Sequence, residues 1–308
     1  MKLLKLIRYQ NLLMIALMQI IFKYGFLDQQ NIPLALNDWQ YLLLVATTVL
    51  IAGAGYLINN IFDKETDTIN KPEEVVIGKS ISEDKAFNLY IAMNIIGVGI
   101  GFYLSNFIEK PAFALLFILI SATLYLYASS LKQSLLVGNV IVAILTSMSV
   151  IIIGIFNLYP LITLENQAFL GLIFRVLLDY AIFAFVINFI REIVKDLEDV
   201  NGDYNQGMNT LPIALGVTRT TRVVFLLSFI PIVALLYYIN EYYFVNELYI
   251  ATIYCLLSIV APLIYFTVKS ASAKNKQDFH HLSLILKFVM LFGILSALVV
   301  TLNIKLNA

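Results

Sequence analysis

The chain has 308 residues, 60% of them apolar and 13% charged, with no net charge. Soluble domains carry about 25% charged residues, and a soluble fold is excluded because its surface would demand far more polar side chains. The zero balance excludes a globally basic nucleic-acid binder, and the single cysteine, Cys255, excludes an intrachain disulfide and a cysteine-based metal site.

A bilayer solvates such a chain, and a spanning helix needs about 20 mostly apolar residues. Nine stretches reach that length, at 9–27, 39–60, 87–106, 112–130, 135–157, 168–190, 221–240, 247–268 and 283–303. The fold class is then all-α: a polytopic membrane protein of nine transmembrane helices in a bundle with a central cavity and two cytoplasmic polar loops. It forms one domain over residues 1–308. The first stretch follows a basic start and lacks a small-x-small cleavage site, so it reads as a permanent span and not as a signal peptide.

Long polar segments interrupt the spans at 61–86, 191–220 and 269–281. The adjacent His280 and His281 fall at the end of the last of these and mark a membrane–water boundary. With the N-terminus in the cytoplasm, 16 of the 20 lysines and arginines fall on the cytoplasmic side, the bias expected of inside-facing segments. Lys23, Lys110, Arg175 and Lys305 are the four left outside. This places the protein in the cell's inner (plasma) membrane, with the segments 61–86 and 191–220 both cytoplasmic.

The first of these segments opens with Asn59, Asp63 and Asp67, spaced by four, so on a helix one amide and two carboxylates share a face. Magnesium prefers such oxygen ligands and binds through one or two carboxylates plus substrate phosphates. A solvated acidic helix end has the same spacing. The second segment repeats the pattern, with Glu192, Asp196, Asp199 and Asp203 on one helical face and Asn188 one turn earlier. Arg191 and Lys195 add positive charge beside it. A salt-bridged amphipathic helix also fits. The pair Asp199/Asp203 follows Asp63/Asp67 by 136 residues, which suggests two related halves, about 1–134 and 135–308. If the two faces meet, they make a site for divalent cations and a diphosphate, with basic side chains to hold the remaining phosphate oxygens.

These residues resemble the UbiA superfamily of intramembrane prenyltransferases. Its first motif, N-D-x-x-D-x-x-x-D, is matched by Asn59, Asn60, Asp63 and Asp67, with Asn60 in place of the first aspartate. Its second, an aspartate-rich D-x-x-x-D followed by G-x-x-T-L-P, is matched by Asp196, Asp199 and Asp203, then Gly207, Thr210, Leu211 and Pro212. The stretches Ile69-Asn70-Lys71-Pro72 and Gly78-Lys79-Ser80-Ile81-Ser82 are similar to the family's linking segment, although Glu73-Glu74 stand where arginine is usual. Weaker echoes are Arg8 with Asn11, and Tyr127 through Lys132 followed by Gly138-Asn139.

The resemblance implies a Mg2+-dependent transfer of an isoprenyl group from an isoprenyl diphosphate to a lipophilic acceptor. Asn59, Asp63 and Asp67 would bind one magnesium and the diphosphate; Asp199 and Asp203 would bind another, with Asp196 as a further ligand. Lys71, Lys79, Asn188, Arg191 and Lys195 are diphosphate candidates, and Tyr127 and Lys132 candidates to face the cavity. Ordinary interfacial Tyr, Lys and Arg fit these positions equally. Within the superfamily the sequence is closest to the branch that prenylates geranylgeranylglyceryl phosphate; the alternative acceptor is a quinone precursor such as 4-hydroxybenzoate or dihydroxynaphthoate. No obligate protein partner and no nucleic acid are implied. From another class, a cation-coupled transporter also uses intramembrane carboxylates, but its sites sit near the midplane, whereas these clusters lie at span ends.

Overall fold

A computed structural model describes residues 2–70, 72–73 and 75–307, without the side chains of Lys2 and Asn70. Among the described residues the chain is helical, with no strand and one isolated bridge, Ile77 to Ile81. Nine helices among the described residues are long and apolar enough to cross a membrane: α1 Tyr9–Gln30, α2 Asp38–Phe62, α3 Glu83–Phe107, α4 Pro111–Ser129, α5 Val137–Leu161, α6 Gln167–Asn205, α7 Val217–Phe244, α8 Tyr249–Ser270 and α9 Lys276–Asn307. Each expected span lies within one of them or overshoots it by no more than two residues.

The longest of them is α6, which continues through the expected helical face of the second acidic cluster. The expected polar segment beginning at residue 191 is helix as far as Asn205. No glycine or proline interrupts the run from Phe174 to Asn201, so nothing stops helix propagation where hydropathy falls. At 1.5 Å per residue α6 is about 58 Å long, roughly twice a hydrocarbon core. Its polar half therefore carries the second acidic cluster on a rigid rod. The rod ends in a turn with Gly207 at φ +67°; a short helix, Leu211–Leu215, then carries Pro212 in its first turn, where a missing N–H costs nothing.

By internal packing the chain divides into two compact units. The first comprises Met1–Ile20, Pro33–Gly138 and Met148–Leu178. Here α2 starts at a capping box, in which the Asn37 side chain accepts from the Gln40 N–H while the Gln40 side chain accepts from that of Asn37. The α2 and α3 backbones lie close at small residues: a Cβ on Gly97 would fall 2.9 Å from Ile51 Cγ1, and one on Gly53 2.6 Å from Met93 Cε. In lipid, where no hydrophobic force draws helices together, such close approach supplies the packing. Gln19 joins three helices, its amide donating to Thr48 Oγ1 (3.1 Å) and the Ser149 carbonyl (3.0 Å).

The second unit comprises Ile21–Ile32, Asn139–Ser147 and Asp179–Ala308. Two polar pairs lie within it. Lys23 is ion-paired with Asp28 (3.3 Å), and the Tyr180 and Ser296 hydroxyls are hydrogen-bonded (2.9 Å).

Candidate active site

In the first unit, α2 ends at Asp63, whose N–H still donates to the Asn59 carbonyl (2.8 Å). The side chains repeat this link, the Asn59 amide donating to Asp63 Oδ2. The other oxygen, Oδ1, is ion-paired with Lys132. The Asp67 N–H donates to the Asp63 carbonyl (2.8 Å), which carries the acidic face into the short helix Lys64–Asn70. The expected grouping of Asn59, Asp63 and Asp67 on consecutive turns is present, and the structure adds Lys132 to it.

Lys132 reaches Asp63 through a tight backbone turn. Residues Leu131–Gln133 form a single 3-10 turn, and Leu136 then takes a left-handed conformation (φ +58°) before α5 begins. Gly138 accommodates this turn: a Cβ there would fall 2.9 Å from Lys132 Cα and 3.2 Å from the Leu131 carbonyl oxygen. The Tyr127 ring packs on the same glycine, 3.3 Å from that Cβ position. The Gly138 motif thus places Lys132 beside the first acidic cluster.

In the second unit, Glu192, Asp196, Asp199 and Asp203 lie along the polar half of α6; Glu192 and Asp203 are each only 7% exposed. Asp196 accepts a hydrogen bond from the Asn139 amide (2.8 Å). Two of the expected diphosphate ligands turn to a neighbour instead. Lys195 donates to both oxygens of Glu192 (2.9 and 3.1 Å), and Arg191 lies 3.6 Å from the same carboxylate while Nε donates to the Ser283 carbonyl (3.4 Å). Glu192 therefore anchors the cations and is less available to a metal. Asn188 is buried and donates to Thr146 Oγ1 (3.1 Å).

Lys79 folds back on its own loop, donating to the Pro72 carbonyl (2.9 Å). Lys71 lies outside the described residues. The residue that sequence reasoning passed over is Asn139; its signal was the Gly138-Asn139 pair, but nothing local reveals a partner 57 positions on.

The donor set suits a hard divalent cation. Asn59 Oδ1 is buried and has no hydrogen-bond partner among the described residues, and an orphaned amide oxygen beside a carboxylate is the kind of ligand magnesium takes. Among the described residues no three His, Cys, Asp or Glu side chains close around one point as a complete metal cage.

The family model described as the UbiA prenyltransferase family matches residues 20–300. A digeranylgeranylglyceryl phosphate synthase of Methanosphaera stadtmanae is 28% identical over 260 residues, 83% of this chain and 86% of that one. Another of that name, from Saccharolobus solfataricus, is 35% identical over 221 residues, 71% of this chain and 70% of the relative. A solved UbiA homologue from Archaeoglobus fulgidus, bound to GPP and Mg2+, shares the fold at a TM-score of 0.57 and 15% identity, covering 96% of this chain and 99% of its own.

Proposed function

The chain belongs to the UbiA prenyltransferase family, and we propose that, as an integral multi-pass membrane enzyme, it transfers a geranylgeranyl group from its diphosphate to geranylgeranylglyceryl phosphate. Family membership sets aside the transporter reading. The choice of acceptor is supported by the two relatives, whose coverage runs through most of both chains.

The site assignment rests on one observation above the others: the buried, unpartnered Asn59 Oδ1 beside Asp63. Asn59, Asp63 and Asp67 hold one magnesium and the diphosphate; Asp199 and Asp203 hold another, with Asp196 kept in place by Asn139. Bound magnesium supplies charge neutralisation that makes diphosphate a better leaving group. Lys132, already against Asp63, adds a cation whose three N–H groups can turn to phosphate oxygens. The allylic C1–O bond breaks with its electron pair leaving on diphosphate. The acceptor hydroxyl oxygen bonds to C1 and its proton passes to the departing diphosphate. The low water activity of an apolar span bundle protects the carbocation-like state from hydrolysis. The lysine and arginine distribution, 16 of 20 on one side, supports an orientation with the N-terminus and both acidic clusters in the cytoplasm.

The test is transfer of labelled geranylgeranyl diphosphate by the purified protein in lipid nanodiscs with Mg2+. The acceptors offered are geranylgeranylglyceryl phosphate, 4-hydroxybenzoate and dihydroxynaphthoate. An ether product on the glyceryl phosphate alone is expected. Prenylation of only an aromatic acceptor overturns the acceptor assignment. No product at all, with Asp63→Ala and Asp199→Ala leaving diphosphate binding unchanged, overturns the site.

A further inference from the structure

Asn60 sits beside Asn59 in sequence but turns away from the Asn59–Asp63–Lys132 group. Its amide Nδ2 donates to the Leu6 carbonyl (3.0 Å) and to the Tyr56 carbonyl one turn back (2.7 Å). The segment it catches, the short helix Lys2–Leu6 with the residues that follow it, is fastened at three more points. Leu6 is 3% exposed and packs with Leu57, Ile77 and Ala86. Arg8, in a left-handed conformation (φ +49°), places its guanidinium 5.4 Å above the Tyr56 ring, and the Asn11 amide donates to the Tyr56 hydroxyl (3.2 Å). The N-terminal segment is therefore tied to α2 at residues 56, 57 and 60, on the turns that lead into Asn59 and Asp63.

A carboxylate has no N–H. An aspartate at position 60 could donate to neither carbonyl and would set an anion about a hydrogen-bond length from two carbonyl oxygens. The amide is thus required by this contact, and the apparent departure from the N-D-x-x-D pattern has a local cause. We infer that Asn60 is a positioning residue: by clamping the Leu6 carbonyl it fixes the last turn of α2, and with it the Asn59 and Asp63 side chains that receive the metal and diphosphate. This rests on the assignment of Asn59 and Asp63 to that role.

The test compares Asn60→Asp, the isosteric but donor-free Asn60→Leu, and Asn60→Gln, which keeps the amide. Hydrogen exchange over residues 2–8 reads the clamp directly. Initial rates at varied isoprenyl diphosphate, Mg2+ and acceptor read its consequence. Asn60→Asp and Asn60→Leu should speed exchange at 2–8 and raise KM for the diphosphate about tenfold, the scale typical of supporting residues around a metal ligand. The acceptor KM should stay unchanged, and Asn60→Gln should recover part of the loss. A residue that only stabilised the fold would lower the active fraction and leave every KM in place. The inference is overturned if Asn60→Asp tightens the Mg2+ or diphosphate requirement, as an added acidic ligand would, or if exchange at 2–8 is unaltered in both donor-free variants. Should Asn60→Asp fail to fold, the Leu and Gln variants decide alone. If the wild type transfers to no acceptor, the exchange data still decide the clamp, so the two readings fail separately.

Discussion

The Lys132 ammonium is ion-paired with the Asp63 carboxylate from 69 residues away, with the two side chains only 9% and 17% exposed. Neither group is easily left alone at that depth, because an uncompensated charge in a poorly solvated site is costly. Lys132→Met should therefore lower stability by about 1.5–3 kcal/mol, the range for hydrogen bonds to charged groups. It should also raise KM for the isoprenyl diphosphate. Thermal unfolding in detergent and steady-state transfer assays read the two effects.

Gly138 allows a direct test of the turn that delivers Lys132. A methyl group there meets backbone rather than a flexible side chain, so Gly138→Ala should cost about 1–3 kcal/mol as an overpacking change and depress transfer further by moving Lys132. Gly171 is the control. Nothing lies within 4 Å of a Cβ at that position, and Gly171→Ala in a helix interior should be neutral or stabilising by up to about 1 kcal/mol.

Removing a carboxylate from either acidic face should disable the reaction without unfolding the chain. Asp63→Asn and Asp203→Asn are each expected to reduce turnover roughly 100-fold, the scale of losing one charge-stabilising group. Asp203→Asn should keep near-normal thermal stability in the absence of substrate, whereas Asp63→Asn, which leaves Lys132 without its carboxylate, should lose about 1.5–3 kcal/mol. A full-rate Asp203→Asn enzyme would remove the second cluster from the mechanism.

Chelation gives a complementary measurement. EDTA should abolish transfer, and Mg2+ added in excess should restore it fully, because the ligands belong to helices that form without the ion. If activity survives exhaustive chelation, the metal role assigned to Asn59, Asp63 and Asp67 is wrong.

Glu192 should behave unlike its acidic neighbours. It holds Lys195 at 2.9 Å and Arg191 at 3.6 Å. Glu192→Leu should destabilise by about 1–3 kcal/mol through two cations left without their carboxylate. The Mg2+ concentration needed for half-maximal rate should be unchanged.

The nine spans were readable in the sequence because a bilayer imposes one requirement, about 20 apolar residues, that needs no knowledge of neighbours. The acidic faces were readable for the same reason: a spacing of four is a property of one helix. What the sequence did not disclose was pairing between helices. Asp63 with Lys132 and Asp196 with Asn139 are joined across 69 and 57 positions, and no periodicity encodes such a choice. Arg191 and Lys195 showed the converse. Their charge suggested a phosphate, but Glu192, one turn or less away, is the partner they meet first. The helical spacing of Glu192, Asp196, Asp199 and Asp203 already carried a helix beyond the apolar span, and α6 runs on to Asn205, a little past Gly202.

The Lys132–Asp63 pair also sets a timetable for biosynthesis. Chains grow from the N-terminus and are threaded into the membrane span by span. Asp63 is made long before its cation exists, and through insertion of α3 and α4 its carboxylate waits for a partner not yet translated. The first acidic face can reach its final geometry only once residue 138 has left the ribosome and the turn over Gly138 has closed. A nascent chain arrested before that point would hold Asn59, Asp63 and Asp67 without Lys132 seated against Asp63.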